Sequence, residues 1–221
     1  MNTQTNAVLT GDVVNSGRLP DETLAALQQR LKSLPAEFDR TFPGTVAGKL
    51  GITRGDGWQV ALKHPQHAVR MALFLRAAIR AEFDADSCIS IGIGPVSRVV
   101  AARISESTGV AFDRSGRGLE ALGKKKRLCL AGQGDKALGK EIAEQHICDL
   151  LDCLARRWSR RQAFVARFSL LGMTQADIAQ RSPSLPGSAR KPSRQAISKS
   201  QNQMDFPVIE EVLNYFETQP S

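Results

Sequence analysis

The sequence predicts an α+β fold: a βαββαβ front portion with an antiparallel sheet and both helices on one face, followed by an all-α portion. Three observations carry that prediction. Short apolar or alternating runs (Ala7 to Leu9, Trp58 to Leu62, Ile89 to Gly94) are interleaved with helical-period segments in the front of the chain. Behind them, apolar residues recur only at helical spacing. Charge divides the same way: between Ala155 and Lys199 ten Lys or Arg stand against one acid, a net +9, so the rest of a chain of total charge +8 sums to about −1. With 221 residues, two small units fit, read as 1–135, a connecting helix over 136–160, and a helical unit over 161–221.

Each element has its own signal. Ala7-Val8-Leu9 is a buried strand ending at Thr10-Gly11-Asp12. A helix opens at Pro20 or Asp21 and runs to about Leu34, with Leu24, Leu27, Leu31 and Leu34 on one face. Strands at Val46–Ile52 and Trp58–Leu62 flank Arg54-Gly55-Asp56-Gly57, where Asp-Gly is a hairpin signal. Ala68, Met71, Ala72, Leu75 and Ile79 repeat at helical spacing within Pro65–Phe83, and Cys88 to Gly94 alternates like a strand. A helix near Ser115–Leu122 and a strand at Arg127–Ala131 extend this order. Leu138 to about Arg160 reads as one helix, followed by helices at Arg161–Leu170, Thr174–Arg181, Ser193–Gln203 and Val208–Glu217. Ser182 to Pro192, rich in Ser, Pro and Gly, reads as a loop.

Composition excludes several classes. Cys88, Cys129, Cys148 and Cys153 lack C-x-x-C spacing and a histidine cluster, so neither a zinc site nor a disulfide framework is indicated. No apolar run reaches the roughly 18 residues of a spanning helix, and no signal pattern opens the chain. The expectation is a cytoplasmic protein with reduced thiols and no membrane partner. His64 and His67 are expected to face solvent at a helix start.

Asp12 and Asp56 are expected at one end of adjacent strands. Two such carboxylates suit a divalent cation, Mg²⁺ or Mn²⁺, which takes one or two carboxylates and completes its shell with phosphate oxygens and water. Two ions so held would polarise an attacking hydroxyl and hold a leaving pyrophosphate. The backbone at Val13, Val14, Asn15 and Ser16 would cradle phosphates just past the strand.

At the other end, Thr174 caps Gln175-Ala176-Asp177-Ile178-Ala179, and Ser193-Arg194-Gln195-Ala196-Ile197-Ser198-Lys199 has the form of a recognition helix. Ala179, Ala196 and Ile197 would pack the pair. Arg194, Gln195 and Ser198 would face a major groove, with Arg190, Lys191 and Lys199 on phosphates. The connector is longer than the usual three or four residues, an insertion whose entropic cost grows slowly with length.

The motifs carry a resemblance. Asp12-Val13-Val14-Asn15-Ser16 resembles the D-[IV]-V-G-S opening of class III nucleotide cyclases, and Gly55-Asp56-Gly57-Trp58 resembles their G-D-G-[FW] hairpin. Ile89 to Val96 is similar to their R-I-G-I-H-x-G strand, and Gly109 to Arg117 stands where they carry G-x-x-V-N-x-A-A-R. The combination of T-G-D-[IV]-V-N-S, G-D-x-[FW]-Q ending at Gln59, and a C-terminal helix-turn-helix resembles the SatD-like bacterial family. The resemblance implies Asp12 and Asp56 as metal ligands and Arg117 as the arginine that stabilises phosphate charge, with these three catalytic if the chain is an enzyme. It aligns Asp113, beside Arg114, with the ribose-orienting asparagine and Thr53 with the base-selecting lysine, and both are departures. It also implies a homodimer, since cyclases build the site between two copies.

Two readings stay open. One is a DNA-binding transcriptional regulator whose cyclase-like front binds a nucleotide and a divalent metal, with double-stranded DNA and a nucleoside triphosphate as partners. The other is a two-metal nucleotidyl cyclase or related nucleotidyl transferase with an accessory helix-turn-helix. A third, in which Asp12 and Asp56 are only turn residues, makes both portions structural.

Overall fold

The computed structural model describes residues 5–53, 55–101, 104–123, 125–131, 139–184 and 190–218. Strand β1 (Thr5–Val13) is central: β3 (Gly57–Leu62) and β4 (Ser87–Arg98) flank it, both antiparallel. The short β2 (Gly51–Ile52) pairs with β3, and β5 (Thr108–Gly109) with the far end of β4, giving the order β2-β3-β1-β4-β5. Strand β6 (Leu128–Ala131) runs parallel to the start of β4.

Alternation along β1 sends Ala7 and Leu9 to one face and Val8 to the other. Helices α1 (Asp21–Thr41) and α2 (Ala68–Phe83) cover the first face, and α3 (Val110–Ala121) the second. Helix α3 lies close because β4 has glycines there: a Cβ at Gly92 would fall 2.3 Å from the Ala111 carbonyl oxygen.

Five further helices follow among the described residues: α4 (Gly139–Ala155), α5 (Arg160–Ser169), α6 (Gln175–Arg181), α7 (Arg194–Gln203) and α8 (Phe206–Thr218). Their apolar faces belong to the same continuous core as the sheet, a cluster that runs from Ala7 to Phe216. Helix α2 lies between the two, and twelve of its sixteen residues are buried. A helix buried on nearly every side is a central helix. Full burial of side chains such as Met71, Leu73 and Phe74 contributes about 1.5–3 kcal/mol each.

Helix α2 also carries arginines into that core, each met by carboxylates. Arg76 makes a two-point contact with Asp86 (2.9 and 2.9 Å) and reaches Asp152 on α4 at 2.8 Å. Arg70 holds Glu210 and Glu217 of α8. Arg167 of α5 bonds Glu37 of α1 at 2.7 Å and also pairs with Glu82.

Several boundaries differ from the sequence reading, for local reasons. Helix α1 continues to Thr41 through a buried Pro35, because Phe38 extends the buried face of Leu27, Leu31 and Leu34. The strand expected over Val46–Ile52 contracts to β2 and a single bridge between Val46 and Leu62. The single helix expected up to Arg160 ends at Ala155, and α5 restarts behind a Ser159/Gln162 capping box. Leu138, its expected first residue, lies outside the described residues, as do 185–189 of the connecting loop and Arg54. Helix α3 starts at Val110, so Ser115 is not at a helix start: it is buried in mid-helix and shares a 2.7 Å hydrogen bond with Thr10. His64 is exposed, whereas His67 is half-buried against Phe42 and lies 3.1 Å from Glu217, correcting its expected solvent position. Ala196 is exposed and takes no part in packing α7.

Candidate functional site

The end of β1 is where two motifs meet. Asp12 stands opposite Gly57 of β3 on one side and Cys88 of β4 on the other. Asp56, one residue before Gly57, sits in the β2–β3 turn. That turn is closed by the Thr53 amide on the Gly57 carbonyl (2.7 Å) and tied to α1 by Gln28, which donates to the Gly55 carbonyl at 2.9 Å. Past the strand, the Val14 amide donates to the Asp86 carbonyl at 2.9 Å, so it is spent on the fold and does not serve the expected phosphate cradle. Asn15 has φ 54°, ψ 35°, a left-handed conformation that glycine and asparagine tolerate best.

A cleft of about 620 Å³ opens here, lined by Asp12 to Gly17, Asp56, Cys88, Leu119, Leu122, Gly123 and Arg127. Its electrostatics are those of crowded negative charge. Burial, and then the charge of Asp56, raise the Asp12 carboxyl above its ordinary value of 3.8, and Oδ1 of Asp12 is buried without a hydrogen-bond partner. A cation between the carboxylates relieves both conditions. No group of three or more His, Cys, Asp or Glu able to hold a metal occurs among the described residues. Two carboxylates with phosphate oxygens and water are a donor set that Mg²⁺ or Mn²⁺ accepts. Burial and the Asp12 charge push the Cys88 thiol up to about 11, so it is a neutral thiol at physiological pH and no nucleophile.

The cleft rests on the buried ion network. Asp86 fixes the Val14 and Ser87 amides, and Ser87 Oγ donates to the Asp12 carbonyl at 2.6 Å while accepting the Trp58 indole N–H at 3.1 Å. Asp152 accepts the Arg127 amide at 3.0 Å. One buried arginine, Arg76, thus braces the ends of β1, β4 and β6 together.

Of the residues singled out from the sequence, Asp12, Val13, Asn15, Ser16 and Asp56 line this cleft. Thr53 lies at the base of the turn outside the lining. Asp113, Arg114 and Arg117 are on α3 and also outside it. Arg114 donates to the Ile93 carbonyl, five residues along β4 from Cys88, about 17 Å at strand rise. Arg127 was missed as a site residue. Its signal, a basic residue opening a strand that lies beside β4, depends on a parallel pairing that the sequence does not show.

In the helical portion, α6 and α7 pack on α5. Thr174 and Ser193 cap them, accepting from the Asp177 and Ala196 amides. Arg194, Gln195 and Lys199 are exposed on α7 and Ser198 is half-buried. Arg194 Nε lies 3.4 Å from Gln175 Oε1, and Lys191 donates to the Gln180 carbonyl. Arg190 is exposed. Arg167 drops out of the basic surface that the composition implied, because it is buried between carboxylates.

No helix among the described residues is long and apolar enough to cross a membrane. No protein-family model matches the chain, and no curated protein is similar enough to match. Similar solved structures are those of bacterial light-regulated adenylyl cyclases. One is 16% identical with a TM-score of 0.43 over 57% of this chain and 74% of that one. A second is 14% identical with a TM-score of 0.41 over 57% of this chain, which spans 42% of its length.

Proposed function

We propose that this chain is a nucleotide-responsive DNA-binding regulator. Its sheet binds a nucleoside triphosphate through a divalent cation at Asp12 and Asp56, and its C-terminal helices bind double-stranded DNA. The observation that carries the reading is the buried, unpartnered oxygen of Asp12, a residue that lines one cleft with Asp56. A charge raised in energy by a like charge gains most from a bound cation. The order β2-β3-β1-β4 with α1 and α2 on one face is compatible with a ferredoxin-like, cyclase-like front. The DNA arm is supported by the capped α6–α7 pair with Arg194, Gln195 and Lys199 exposed on α7, an arrangement compatible with a helix-turn-helix.

A second reading, a two-metal nucleotidyl cyclase or transferase, is favoured by the same aspartates. It needs a homodimer, because Arg117 lies outside the cleft of its own chain and a second copy would supply it. Incubation with each nucleoside triphosphate and Mn²⁺, followed by calorimetry and mass spectrometry beside Asp56→Asn, separates the two. The regulator reading expects binding that Asp56→Asn removes, no cyclic or linked product, and selection of a duplex from a random pool. A product made only by the unmutated protein would establish the second reading. Binding of no nucleotide would sink both.

A further inference from the structure

The geometry points to Arg127 as the residue that makes the Asp12–Asp56 cleft a site for a metal-bound polyphosphate and not for a bare cation. The inference rests on the nucleotide reading above and deepens it. Two facts place Arg127 there. It lines the same cleft as the two aspartates. Its backbone is anchored, with the amide on Asp152 Oδ2 (3.0 Å) and the following residue, Leu128, in register with Ile89 of β4.

The guanidinium has contacts that hold it beside Cys88. Nη1 donates to the Lys126 carbonyl at 3.0 Å and to the Cys88 sulfur at 3.8 Å. The lining of the cleft thus includes two carboxylates and a planar, permanently charged fork. Such a lining favours, over a lone divalent ion, a ligand with a cation at one end and free phosphate oxygens at the other. Those oxygens match the two-point geometry of a guanidinium. Arg117, exposed on α3, lies outside the cleft of its own chain.

The test compares Mn²⁺ alone with Mn²⁺ plus inorganic tripolyphosphate, a probe without base or sugar, by calorimetry and Mn²⁺ spin resonance. Wild type, Arg127→Ala, Arg127→Lys and Asp12→Asn are measured, with folding checked by thermal melting. The expected signature is a split in sign: Arg127→Ala weakens tripolyphosphate roughly ten- to hundredfold, while Mn²⁺ alone binds as well as before or better. Arg127→Lys restores part of the polyphosphate affinity. Asp12→Asn removes Mn²⁺. If Arg127→Ala lowers both affinities in parallel, or leaves tripolyphosphate unchanged while Asp12→Asn still removes Mn²⁺, the role of Arg127 is overturned and the nucleotide reading stands. If wild type binds neither Mn²⁺ nor tripolyphosphate, both fall.

Discussion

The indole of Trp58 fills the space that a side chain at Gly11 would need: a Cβ there would fall 2.4 Å from Trp58 Cζ2 and 2.6 Å from the Cys88 carbonyl oxygen. The glycine before the first aspartate and the tryptophan after the second are thus one packing unit. Its product is the register that sets Asp12 against Gly57 and so beside Asp56. Gly11→Ala forces overpacking against a fully buried ring and a backbone oxygen, expected to cost about 1–3 kcal/mol and lower the melting temperature. In Trp58→Phe the clashing ring atom is gone, so the double variant should cost less than the sum of the singles. Strict additivity in urea unfolding would mean that the two residues do not share that space.

Asp12 makes stability depend on pH with a definite sign. Its folded-state carboxyl titrates above the ordinary 3.8 because of burial and the Asp56 charge. Between the two values the native state holds more protons than the unfolded one, so stability falls as pH rises through this window. Asp12→Asn should therefore raise the melting temperature at neutral pH and lose that advantage below the ordinary value. Mn²⁺ should narrow the gap at neutral pH by stabilising wild type alone. A variant less stable than wild type at pH 7 without metal would contradict the charge crowding.

The opposite sign belongs to Asp86. Burial raises its carboxyl, but the two-point Arg76 contact and Arg80 outweigh this and leave it below the ordinary value. A depressed acid contributes stability that is fully present above the ordinary 3.8 and lost as pH falls through the folded value. Arg76→Met leaves Asp86 with Arg80 and Asp152 with Arg156 as their remaining cationic partners, so the loss at neutral pH should stay below the roughly 3–5 kcal/mol of a fully broken buried pair. Chemical denaturation should show the deficit shrinking toward acid pH. A constant deficit would place the cost in packing instead.

Much of the front was legible because its signals are local. The alternation at Ile89 to Gly94, the Asp-Gly turn and the leucine face of α1 each lie within a few residues of chain. The Asp12 and Asp56 positions followed from them. What stayed hidden was long-range: Arg127 enters the cleft through a parallel pairing of β6 with β4, and the Arg76 network joins residues from Asp86 to Asp152. His67 was misjudged for the same reason, since Glu217 lies 150 positions away. The break before α5 was a different failure, because the S-x-x-Q cap at Ser159 was local and was passed over for an unbroken periodic run.

The charge of the C-terminal helices divides into surface and structural arginines, and salt dependence separates them. Each phosphate contact on duplex DNA adds about 0.9 to the slope of log affinity against log salt. Lys199 is exposed on α7, so Lys199→Ala should flatten the slope by about one and leave the melting temperature nearly unchanged. Arg167 is just as basic in composition but is buried between Glu37 and Glu82. Arg167→Met should therefore lower the melting temperature and leave the slope where it was. Equal flattening by both variants would mean that Arg167 reaches the nucleic acid, which its carboxylate partners forbid while α1, α2 and α5 remain packed.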